Sequence, residues 1–97
     1  MTDEELLRRS AQAAGISTYG MSMVSGYLYG NNHAWDPLTH NDTALWLSVT
    51  LGIDIQHFKH SKHVEAWVYP IPPVSEDYGD DPRAATRRAI VKVAAQL

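Results

Sequence analysis

Residues 35–52, WDPLTHNDTALWLSVTLG, read in order as a turn, a helix cap, a helix and a helix stop. Asp36 precedes Pro37, and a residue before proline avoids the helical region, so the chain turns here. Thr39 is a good capping side chain, and Asp42 lies three residues on, where a helix start favours negative charge. The spacing predicts a helix over 40–51. Ala44, Leu47 and Leu51 share one line, with Leu45 and Val49 beside it. A stripe this broad predicts a helix pressed into a core. Gly52 supplies the left-handed stop.

C-terminal to this helix, IDIQHF and VEAWVY alternate with period two. Strands at 53–58 and 64–69 are predicted, joined by a turn over Lys59–Lys62. That turn sets Phe58 against His63, Ile55 against Ala66, and Ile53 against Val68. A slip by one residue would set each apolar row against a polar one, so the pattern selects this register or one two residues away. Ile53, Ile55, Val64, Ala66 and Val68 then face the helices, whereas Phe58, Trp67 and Tyr69 face away. Residues 70–80, PIPPVSEDYGD, read as a loop, because three prolines oppose both helix and central strand. Asp81 as cap and Pro82 at the first helical position open a last helix over 82–96. Its expected inward residues are Ala89, Ile90, Val93 and Leu97.

On the N-terminal side, a first helix is expected over 3–14. Thr2 caps it, Glu5 completes the capping-box spacing, and Gly15 with Ile16 ends it. Residues 17–35 carry glycines at 20, 26 and 30. They read as one or two short strands broken near Gly26, with a turn at Gly30-Asn31-Asn32, or as an irregular loop. The fold class expected is α+β in a single domain, 1–97. Three helices pack on one small antiparallel sheet, in the order α-β-α-β-β-α.

Composition narrows the chemistry. The 97 residues carry a net charge of −3 and no cysteine. Disulfides, thiolate ligands and cysteine nucleophiles are therefore excluded. The mild negative charge gives no general affinity for nucleic acid or anionic membrane. The opening MTDEELLRR is acidic and amphipathic, unlike a signal peptide. No apolar run approaches the roughly 20 residues that span a bilayer.

Three groups of side chains are candidates for function. Phe58, Trp67 and Tyr69 would form an aromatic patch on an open sheet face, flanked by the basic last helix, and exposed patches of that kind mark protein contacts; the alternative is that a second layer, the segment 17–35, covers that face. Arg83, Arg87, Arg88 and Lys92 could hold phosphates of a nucleic acid or nucleotide. The alternative is a solvated helix face neutralised by Glu76, Asp77, Asp80 and Asp81. His57, His60 and His63 are weak metal candidates. His57 points to the inner face, His63 to the outer one, and Lys59 and Lys62 repel a cation, so no metal or other cofactor is expected. His33 with Asp36, or His40 with Asp42, could pair as acid and base, though capping explains the aspartates equally well. There is no G-X-S-X-G elbow and no phosphate-binding glycine loop, so an enzyme is not expected.

The amphipathic opening helix ending in AAGI, then WDPLTHNDTALWLSVTLGI and DDPRAATRRAIVKVAAQL, together resemble a family of small, uncharacterised proteins of tailed bacteriophages and prophages. The order of the pieces is similar to that in the lambdoid late-Nin-region protein group. They cover about half of the chain. Asp36 stands where many relatives are expected to carry asparagine. The family carries no activity to transfer. The resemblance implies a phage origin, the cytoplasm of a bacterial host, and an accessory role through contact with a host or phage protein, interference with host defence being one form. Homo-oligomerisation through the open sheet face is a further possibility.

Overall fold

The computed structural model describes residues 1–97, with three helices and six strands. Helix α1 is Asp3–Ala13, α2 is Asn41–Leu51 and α3 is Pro82–Ala94. Strands β1 (Ser22–Val24), β2 (Tyr27–Gly30) and β3 (His33–Trp35) form one antiparallel sheet. Strands β4 (Asp54–Phe58), β5 (His63–Val68) and β6 (Ile71–Asp77) form a second. The class is α+β, as expected, but two three-stranded meanders replace the single sheet.

The local signals explain most boundaries. Thr2 Oγ1 accepts the Glu5 amide at 3.1 Å, so the first cap forms as read. At the other end the Ile16 amide donates to Ala11 O at 2.8 Å and the Gly15 amide to Gln12 O at 3.1 Å. These are the two bonds of a Schellman stop. Gly52 (φ +71°) ends α2 the same way. Asp81 Oδ1 accepts the Arg83 and Ala84 amides, and Pro82 follows at the first helical position.

The cap of α2 differs from expectation. His40, not Thr39, holds the capping position and gives no side-chain bond to the helix amides. Asp36 organises this start instead. Its carbonyl accepts the Thr39 and His40 amides, and its carboxylate accepts Thr43 Oγ1 at 2.8 Å.

The segment 22–35 is a three-stranded meander rather than one or two strands. Ser25 and Gly26 both have positive φ, as do Asn31 and Asn32, the condition for tight two-residue hairpin turns. Gly30 cannot carry a side chain: a Cβ there would lie 2.5 Å from Gly20 O. Each strand turns one large residue inward or close to it, so Met21, Leu28 and Trp35 are all buried.

The β4–β5 register is the expected one, with Phe58 opposite His63 and Ile55 opposite Ala66. The stretch after it is corrected. Residues 71–77 form β6, not a loop. β6 lies at an edge, where proline is tolerated, and the register shift beside Val68 takes up the Pro72-Pro73 pair. Tyr69 leaves the strand and forms the β5–β6 turn with Pro70 across a cis peptide.

Helix α3 is the hub, packed against α1, α2, β5 and β6. Ala85, Ala89, Ile90, Val91, Val93 and Ala94 are buried along it, against Val64 and Ala66 of β5. Leu97, expected inside, is exposed. Helix α1 crosses β2 and brings Leu6, Leu7 and Ala11 into the same core.

Candidate functional site

The expected aromatic surface does not assemble as one patch. Phe58 and Trp67 do lie on the sheet face turned away from the helices, since Val64 and Ala66 between them in parity are buried. Phe58, however, stacks on His63, with ring centroids 4.6 Å apart and planes 8° from parallel. Trp67 pairs with Asp54 at the other end of the ladder. Four residues of strand separate the two ends, about 13 Å. Gln56, Glu65 and Ser75 occupy the space between them. Tyr69, 93% exposed, sits on the turn beyond. The basic helix does not flank this face either, because α3 packs on the opposite side of the sheet.

The four cations of α3 are also dispersed. Arg88 bonds Asp3 at 2.9 Å, and Lys92 bonds Glu76 at 2.6 Å. Arg87 donates to Leu38 O at 2.8 Å and to Asn41 Oδ1 at 2.7 Å. Arg83 alone makes no side-chain bond, so the stripe offers one free guanidinium rather than a phosphate-binding row. The histidines separate as their parity requires. His57 Nδ1 shares a 2.6 Å hydrogen bond with Tyr78 Oη on the inner side, while His63 Nε2 lies 3.4 Å from Glu65 on the outer side. No group of three or more His, Asp or Glu side chains is placed to hold a metal ion.

Of the acid–base pairs, His40 joins Asp36, not Asp42: Nδ1 lies 2.8 Å from Oδ2. Thr39 Oγ1 sits 3.0 Å from the same nitrogen. The pair holds the turn before α2.

Two features that periodicity alone did not disclose stand out around α2. The first is its outer face. Leu45 is 62%, Trp46 47% and Val49 73% exposed. At about 100° per residue these three occupy one continuous arc, opposite Ala44, Leu47 and Ser48, which are buried. The expectation that Leu45 and Val49 join the core is therefore corrected. Trp46 is steadied at its edge by Trp35, in a T-shaped contact of 6.1 Å. The signal for this arc was present in the sequence, since apolar residues encircle α2, but a helix apolar all round reads equally as fully buried.

The second is a cleft of about 280 Å³ between α2, β4 and α3. Helix α2 rests on α3 rather than on β4, which leaves a gap above the strand. Ala44, Ile55 and Ile90 line its apolar part, and Asn41, His57, Arg83 and Arg87 its polar part. No carboxylate lines it. Its residues come from three elements far apart in sequence, so no local motif could announce it.

No family model, curated protein or solved structure matches this chain.

Proposed function

We propose that this chain is a non-enzymatic binding protein that docks another protein against the outer face of α2. The observation that carries the reading is the arc of Leu45, Trp46 and Val49, three large apolar side chains left in water on a regular helix. Full burial of one such side chain contributes about 1.5–3 kcal/mol, so the arc can supply much of the energy of a specific contact. A tryptophan already oriented by a neighbour costs less entropy to bind than a free one, and tryptophan is enriched at energetic centres of interfaces. The arc meets the expectation of a protein-binding surface better than Phe58, Trp67 and Tyr69, which polar residues divide.

The phage resemblance of the helical segments supports an accessory role in a bacterial cell, with a host or phage protein as partner and interference with host defence as one outcome. The best-formed acid–base pair, Asp36–His40, braces a turn, which supports binding rather than catalysis.

Affinity capture from a bacterial lysate tests the reading, with the wild-type chain and a Leu45→Gln/Val49→Gln variant as baits. A partner held by the wild type and lost by the variant is expected. A partner retained equally by both removes α2 as the contact, and light scattering showing a wild-type dimer that the variant lacks makes the partner a second copy.

A further inference from the structure

The cleft between α2, β4 and α3 shares only Leu45 with the docking arc, and its chemistry points to a different kind of ligand. Its volume of about 280 Å³ lies just below the usual range for drug-sized ligand sites, which suits one ring with a short polar arm. The floor is apolar, from Ala44, Ile55 and Ile90. Two guanidinium groups and an imidazole stand at its edge, and no acidic side chain opposes them, in a chain where acidic residues outnumber basic ones by 11 to 8.

These three side chains are not equivalent. Arg87 is held in place by Leu38 O and Asn41 Oδ1, which use two of its five N–H groups and leave three. Arg83 makes no side-chain bond within the chain and lines the opening. His57 is oriented through Nδ1 by Tyr78, which leaves Nε2 without a protein partner. The first amides of α3 are already taken by Asp81, so any anion here is held by side chains rather than by the helix end.

We propose that this cleft binds a small amphipathic monoanion, a carboxylate carried on an aromatic ring or a branched aliphatic group of about ten non-hydrogen atoms. The apolar body lies over Ala44, Ile55 and Ile90. The carboxylate accepts charge-assisted hydrogen bonds from Arg83 and the unused N–H groups of Arg87. A bare inorganic anion would gain nothing from the floor, and a neutral apolar molecule would leave the guanidinium groups without a partner.

An amide NMR titration with phenylpropionate tests this, with phenylpropanamide as the neutral counterpart. Shifts centred on Ala44, Ile55 and Ile90 are expected for the acid. Binding is expected to weaken about tenfold for the amide and about tenfold for the acid on Arg83→Gln, the scale of one charge-assisted bond. Lys59→Gln, at the hairpin tip, is expected to leave it unchanged. No shifts with millimolar acid, equal binding of acid and amide, or indifference to Arg83→Gln would each overturn the proposal. Leu45 borders both surfaces, so a Val49→Gln bait, which leaves the cleft's lining intact, bears on the docking reading alone and the two can fail separately.

Discussion

Trp35 joins the N-terminal meander to the helices. Its indole Nε1 donates to Leu7 O at 2.9 Å and lies 3.3 Å from Ser10 Oγ, so a buried aromatic in β3 is tied to the inner side of α1. A buried indole needs a hydrogen-bond acceptor, and the Leu7 carbonyl and Ser10 hydroxyl of α1 provide it. Ser10 itself donates to Leu7 O at 3.0 Å, so both buried polar side chains are satisfied without water. Trp35→Phe removes the donor and part of the ring while leaving Leu7 O and Ser10 paired. A loss of about 1–2 kcal/mol in urea unfolding is expected, from one hydrogen bond and a modest cavity. An unchanged midpoint would mean that the meander does not depend on this link.

Helix α2 has two apolar faces, and they are predicted to behave oppositely. Leu47 is fully buried against α3, so Leu47→Ala is expected to cost about 2–5 kcal/mol in thermal or urea unfolding. Leu45→Gln and Val49→Gln lie in water and are expected to change stability by no more than about 0.5 kcal/mol each. A large loss from either outer substitution would place that side chain in the core and remove the docking arc. The contrast between helix starts belongs to the same level. Asp81 and Thr2 cap directly, because each has an oxygen free to reach an amide. Thr39 sits one position too early, inside the turn that Asp36 holds closed, and its hydroxyl is drawn to Asp36 O and His40 instead.

Across the whole molecule, a row of charges connects elements that the chain keeps far apart. Asp3 at the start of α1, Arg88 and Lys92 on α3, and Glu76 on β6 form one network, and Glu76 is turned toward the helix layer. Asp3, Arg88 and Lys92 are partly exposed while Glu76 is largely covered, so the contribution is modest and screened by salt. Glu76→Gln is expected to cost about 1 kcal/mol at low ionic strength and less at molar salt, measured by urea unfolding in both. An equal cost in the two buffers would assign the effect to packing. The same network removes Arg88 and Lys92 from any free basic surface, a fact that no local reading of RRAIVKV contains. What the chain order does disclose is local. The α1 and α3 caps, the Gly52 stop and the β4–β5 register follow from short-range geometry, because a cap spans three residues and the strand parity changes sign with any one-residue slip. The edge position of β6, the division into two sheets and the choice of which α2 arc meets water do not follow from it. Prolines exclude a central strand but not an edge one, Met21, Leu28 and Trp35 recur every seven residues rather than at the strand period of two, and α2 carries apolar residues on both its inner and its outer face. Long-range packing against α3 settles those points, since burial is a property of where neighbouring elements stop, and the cleft exists where α2 and β4 fail to meet.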